Sequence, residues 1–247
     1  MNYQKEFKKI PFFNLHPSYI PFVGENYEEY RIFQISESHY CSEIMDREKY
    51  GILYFEDWFS SEKSEIENDY LKNNITRRVC NGVMNNCSFP NFDNPLRSFC
   101  ETVLHESIQL SKYNENRKKY SYFSYMNFYQ IPAFENGGCF QNSFFKEAKK
   151  EGIGGELQTQ IINKWRKEST QLIDQVIEIL NPKAIVFTSV DAWKSYDINN
   201  GKYKSDYRII RSAHPNLPWN NHQVSLNGKT GKQAFEDGLK RIYFSNK

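Results

Sequence analysis

No stretch of this 247-residue chain approaches the ~18–20 consecutive apolar residues that a membrane-spanning helix needs. The first ten residues carry Lys5, Glu6, Lys8 and Lys9 with no apolar stretch behind them, which is not the pattern of a signal peptide. A cytoplasmic protein with no membrane partner is the expectation. Cysteine is scarce and scattered: Cys41, Cys80, Cys87, Cys100 and Cys139 are odd in number and contain no C-x-x-C pair. That argues against both a zinc site and a disulfide framework, and reduced, mostly buried thiols are expected. Internal repeats, low-complexity tracts and proline-rich linkers are also missing, so residues 1–247 read as one domain.

An excess of one charge is likewise lacking, the formal net charge being +2. The distribution is uneven. Residues 1–70 carry 7 Lys and Arg against 14 Asp and Glu, whereas residues 181–247 carry 11 against 5. A basic C-terminal third suits a phosphate backbone, with the acidic N-terminal part facing away. An ordinary solvated face is the plainer reading of the same numbers. What the chain has in plenty is aromatic mass, 19 Phe and 17 Tyr. This is enough for a core and excludes global disorder, and a few of these rings are candidates for stacking on bases.

Four short segments, rich in β-branched and aromatic residues and ending in polar or small ones, read as buried strands: Arg31–Ser36, Tyr122–Tyr129, Ala184–Ser189 and Tyr207–Ser212. Helical patterns lie between them. Over Glu156–Leu180, Ile161, Ile162, Trp165, Leu172, Ile173, Val176, Ile177 and Leu180 fall on one face, and Asn181-Pro182 stops the helix. Ile66–Met84, Asn94–Leu110 and Lys232–Ile242 are further helices. Glu135–Gly155, with five glycines, reads as a mobile loop, and Tyr196–Asp206 as a second loop turning at Asn200-Gly201. Strands alternating with helices imply a mainly parallel sheet covered on both faces, whose ligands bind at the carboxyl ends of the strands.

Those ends carry chemistry. The first strand runs into Ser36-Glu37-Ser38-His39-Tyr40, the second carries Asn127 near its end, and the fourth runs into Ser212-Ala213-His214-Pro215-Asn216-Leu217-Pro218-Trp219. Each has an ordinary explanation: a strand-end Glu serves a helix dipole, an Asn forms a turn, and a His before Pro is a turn residue. Their convergence on one edge of one sheet is what points to function.

The order of these elements resembles the uracil-DNA glycosylase superfamily, in its divergent microbial members, over roughly residues 20–245. In that family the first strand ends in G-Q-D-P-Y-H or G-E-A-P-G and the last in H-P-S-P. Ser36-Glu37-Ser38-His39-Tyr40 and His214-Pro215-Asn216 occupy these positions, and the stretch from Asn181-Pro182 to Asp191-Ala192-Trp193 is similar to the segment before the second motif. The resemblance implies a three-layer α/β/α sandwich with a four-stranded, mainly parallel sheet. It also implies a monomeric enzyme with DNA as partner, which hydrolyses the N-glycosidic bond of a flipped base with no metal and no cofactor. His214 would donate to the leaving base anion. Glu37 matches the glutamate of G-E-A-P-G as the carboxylate, with Glu43 in reserve, and His39 would be the alternative water activator. Tyr40, Asn127 and Ser38 would line the base pocket. Ser212 and Asn216 would touch phosphates, while Leu217 and Trp219 would enter the base stack.

One departure matters: the first branch has Asp where this chain has Ser38. The resemblance implies uracil or a modified pyrimidine as the substrate, and excision of modified bases from phage DNA would make the protein a defence enzyme. The same fold binding DNA or a modified base without cleaving it is the alternative. A phosphate-loop nucleotide binder is a weaker one. Gly228-Lys229-Thr230 resembles the end of such a loop, but Gln223 stands where its first glycine belongs.

Overall fold

A computed structural model of the chain describes residues 2–38, 50–63, 76–85, 90–110, 115–134, 139–215, 219, 223–226 and 228–245. The elements, in order, are α1 (Tyr3–Phe7), α2 (Pro11–Leu15), β1 (Phe22–Val23), α3 (Tyr27–Tyr30), β2 (Ile32–Ser36), α4 (Thr76–Met84) and α5 (Pro90–Phe99). They continue with β3 (Phe123–Asn127), α6 (Phe140–Lys150), α7 (Gly155–Leu180), β4 (Ala184–Phe187), α8 (Val190–Ile198), β5 (Ile209–Arg211), the short hairpin β6 (Gln223–Leu226) and β7 (Lys229–Thr230), and α9 (Gly231–Phe244). No helix among the described residues is long and apolar enough to cross a membrane.

Five strands form the main sheet in the order β1-β3-β2-β4-β5. Parallel pairings join β2 to β3, with Ser36 opposite Asn127, β2 to β4, with Ile35 opposite Phe187, and β4 to β5. The sheet is mixed, because β1 adds an antiparallel edge through Phe22 opposite Tyr125. The expectation of four strands is corrected on this point. A two-residue strand gives no period-2 signal, and β1 is placed by tertiary contact: a Cβ on Gly24, just after it, would lie 2.0 Å from the Ser121 carbonyl oxygen.

Alternation along each strand splits the core. Phe33, Ile35, Met126, Ile185, Phe187 and Ile209 join one cluster with the apolar faces of α6, α7 and α8 and the N-terminal helices. Ile32, Phe123, Tyr125, Ala184, Val186 and Ile210 join a second with α4, α5 and α9. The apolar residues expected on one face of α7 are all buried. Its C-cap, Asn181, adopts φ 41°, a left-handed conformation that asparagine tolerates, and Pro182 follows. The second cluster approaches so closely that a Cβ on Gly238 of α9 would meet Ile210 at 2.6 Å.

The loop expected over 135–155 is also corrected. Residues 135–138 lie outside the described residues, but Phe140–Lys150 is a helix that buries Phe140, Phe144 and Ala148 and ends on Lys149 and Lys150. The i, i+4, i+8 spacing outweighs the glycines, which cluster after the helix, where Gly152 and Gly155 take φ 69° and 60°. Two further differences are local. The helix from Pro90 ends in a π turn over Cys100–Leu104, and the loop after β4 is helical to Ile198 before it turns at Asn200.

One polar device sits inside the second cluster. Arg117 is fully buried and forms a bidentate pair with Asp93, its Nη2 3.0 Å from Oδ2. Removing one member of such a pair strands the other charge, so Asp93→Ala is expected to lower the unfolding free energy by about 3–5 kcal/mol. Urea denaturation measures it.

Candidate active site at the carboxyl edge of the sheet

The strand order fixes where a ligand has room. From β2 the chain crosses to β3 on one side, and from β4 it goes to β5 on the other, so the topological switch point, where such sheets bind their ligands, falls between the ends of β2 and β4. Backbone pairing holds this rim together past the strands. Thr188 N–H donates to the Ile35 carbonyl at 2.9 Å, Ser212 N–H to Phe187 at 2.8 Å, and Tyr129 N–H to Glu37 at 2.8 Å. Ser36 and Thr188 join their hydroxyls across the switch point at 2.9 Å.

Glu37 is the first side chain beyond the central strand, and it is held from two helix N-termini. Phe140 N–H, in the first turn of α6, donates to Oε1 at 2.5 Å, and the Ser189 hydroxyl donates to Oε2 at 2.8 Å. Ser189 is also the N-cap of α8, its Oγ accepting from Ala192 N–H at 3.2 Å. Tyr129 braces the first turn of α6 by stacking on Phe140 at 4.0 Å between centroids, and its hydroxyl lies 2.7 Å from Ser195 Oγ. Burial raises the Glu37 carboxyl above the ordinary range. The Phe140 and Ser189 hydrogen bonds oppose the shift, and the Asp191 carboxylate adds to it.

Two neighbours complete this corner. Cys139, the N-cap of α6, and Asp191, in the first turn of α8, bring their side chains to Glu37, and the three possible ligand atoms lie within 4.8 Å of one another. The spacing is compact enough for one cation. The chemistry fits a cation less well: both Glu37 oxygens already accept hydrogen bonds, and burial, with Asp191 and Glu37 beside it, pushes the Cys139 thiol up to about 11. A thiol held protonated is a poor metal ligand.

Asn127 ends β3 on the same rim and is buried. Its Oδ1 accepts from Tyr125 OH at 3.0 Å, while its Nδ2 donates to no described residue. One lone pair of the Asn127 carbonyl is thus engaged, and its amide nitrogen is the side chain's open donor among the described residues. Ser38 lies next to Glu37 and is partly buried. His214, also partly buried, emerges two residues past Ser212, and the following Pro215 carbonyl accepts from Asn94 Nδ2 at 2.8 Å. Glu37 hydrogen-bonds to neither Asn127 nor His214. His39, Tyr40, Glu43, Asn216 and Leu217 lie outside the described residues.

Ser212 and Trp219 have structural tasks. Trp219 is 2% exposed, packs on Phe235, and donates its indole N–H to Ser212 Oγ at 2.9 Å. Ser212 donates in turn to the Gly231 carbonyl. Both belong to the core beneath α9, so neither is carried forward as a DNA contact. An exposed cation at this edge is Arg211, the last residue of β5, whose guanidinium sits 4.0 Å from the Trp193 ring centroid. The rival phosphate loop is accounted for as well. Thr230 caps α9 in a reciprocal box with Gln233, and Lys229 pairs with Asp237 at 2.7 Å.

Sequence reasoning passed over Ser189, Cys139 and Asp191. Ser189 and Asp191 carry only the signature of a helix N-terminus, and a lone cysteine carries no signal at all. Compared with known proteins, the chain matches no family model, no curated protein and no solved structure.

Two measurements follow from this geometry. Trp219→Ala is expected to cost about 3–5 kcal/mol of stability, as removal of a buried tryptophan does, with a matching fall in the urea midpoint. For Glu37, the folded chain holds the proton more tightly than the unfolded chain. Its contribution to stability is thus present in full below the ordinary glutamate range and is lost as pH rises through its raised value. Glu37→Gln should flatten that decline, with midpoints above wild type at neutral pH and close to it near ~pH 4.

Proposed function

We propose that this chain is a DNA glycosylase of the uracil-DNA glycosylase type, acting on uracil or a modified pyrimidine turned out of DNA. The observation that carries the reading is one rim of the sheet at which a desolvated carboxylate, Glu37, and a buried amide with an open donor, Asn127, end adjacent strands. His214 leaves the same edge after β5. Four strands, β2 to β5, joined by parallel pairings and covered by helices, also suit the sandwich that the resemblance implies.

The chemistry suits these groups. Water adds to the anomeric carbon as the N-glycosidic bond breaks and its electron pair leaves with the base. Glu37 accepts the proton of that water and, while ionised, favours the cationic sugar. His214 donates toward the base oxygen on which negative charge develops, and Asn127 Nδ2 donates to a carbonyl of the flipped base. The base is finally protonated, so the products are the free base and an abasic site. Arg211 has no carboxylate partner among the described residues and is free to meet a phosphate beside the rim.

The test is excision from DNA carrying uracil, hydroxymethylcytosine or glucosylated hydroxymethylcytosine, read as alkali-labile abasic sites. Cleavage of one substrate is expected, reduced by roughly 100-fold or more in Glu37→Gln and in His214→Ala. No cleavage of any of them, with salt-dependent DNA binding intact, would replace the reading with a binding module of the same fold. Activity on a phage-type modified base would assign the protein to defence against phage DNA.

A further inference from the structure

The position at which the first branch carries its aspartate holds Ser38, yet an aspartate does reach this corner, from a different element. We infer that Asp191 is a positioning residue for Glu37: the two carboxylates, gathered between the N-termini of α6 and α8, form a pair in which Asp191 makes Glu37 the proton acceptor for the attacking water. This rests on the glycosylase reading for its reaction, but not for the pairing itself.

The pairing stands on geometry. Glu37 and Asp191 come from the ends of adjacent strand–helix connections, β2 and β4–α8, and their carboxylate oxygens lie within 4.8 Å of each other. Ser189 ties the two together, because its one hydroxyl caps the helix that carries Asp191 and donates to Glu37. The aligned dipoles of α6 and α8 both point their positive ends here, which is what lets two acids share a partly dehydrated corner. Asn127, on the strand next to β2, ends on the same rim, its Oδ1 held by Tyr125 OH and its Nδ2 without a partner among the described residues.

The direction of the effect follows from the groups that face Glu37. Among the described residues these are Asp191 from α8, Cys139 ahead of α6, and Tyr129 past β3, with Arg166 of α7 bearing on Tyr129. Burial keeps both the Cys139 thiol and the Tyr129 phenol neutral. Desolvation is the main influence that strengthens Glu37 as a base, and Asp191, as the neighbouring negative charge, adds to it in the same direction. A general base works best when its affinity for a proton approaches the working pH. In the reaction the proton passes from the attacking water to Glu37 and later to the departed base, and Asp191 exchanges no proton with substrate.

The experiment has two arms on the full-length chain. In the first, carboxyl-carbon NMR of glutamate-labelled protein follows the titration of Glu37 in wild type, Asp191→Asn and Asp191→Glu. The expected result is a midpoint displaced to lower pH in Asp191→Asn and restored in Asp191→Glu; an unchanged midpoint in Asp191→Asn overturns the pairing. In the second, the acid limb of kcat/KM on the excised base is recorded for the same proteins. Asp191→Asn should move that limb to lower pH and reduce neutral-pH kcat/KM by about tenfold, with KM little changed. An unmoved limb overturns the positioning role. If the wild type excises nothing, the general-base role falls with the glycosylase reading, while the titration still decides whether the two carboxylates are coupled.

Discussion

β2 is paired on both sides, by β3 and by β4, and every one of its five residues is buried. A strand in that position has no exposed face on which to place a polar side chain, so the chain can first offer a charged group to solvent only where the strand ends. Glu37 is that group. Its partial burial is a consequence of central strand pairing, and its hydrogen bonds from Phe140 N–H and Ser189 offset part of the cost of desolvating a carboxylate. The rest of the corner is arranged around this constraint: two helices begin here because a parallel sheet delivers its connections to the same edge.

The same geometry explains why the C-terminal segment divides its labour. Ser212 continues the sheet by donating its N–H to Phe187, and its hydroxyl anchors Trp219, so the backbone that presents His214 is fixed from below. Gly238 and Gly231 let α9 lie directly on Ile210 and Trp219, where a Cβ would come within 2.6 Å and 2.2 Å of those side chains. A residue that sequence order places beside His214 can thus belong wholly to the packing that holds this segment in place.

The four parallel strands were legible because each is a short β-branched or aromatic run between polar ends, and α7 because its apolar residues recur on one face from Ile161 to Leu180. Asn181-Pro182 marked its end through backbone sterics that act on two residues alone. β1 was not legible, since two residues contain no period. α6 is masked in the sequence by the glycines on either side of it, although Phe140, Phe144 and Ala148 keep helical spacing. Arg117 looked like any surface cation; its burial depends on Asp93, 24 residues away, and no local pattern announces that pair.

By itself the sequence determined the alternation of strands and helices, the sheet edge at which Glu37, Asn127 and His214 emerge, and hence where chemistry belongs, because these follow from local periodicity and from the fixed geometry of strand–helix connections. Only the tertiary structure decided which groups meet there. That Asp191 and Cys139 close on Glu37, that Asn127 spends its acceptor on Tyr125, and that Trp219 is core are matters of strand order and helix placement. Those depend on burying two apolar clusters at once on the two faces of one sheet, a condition satisfied by contacts between residues far apart in the chain and therefore written in no single stretch of it.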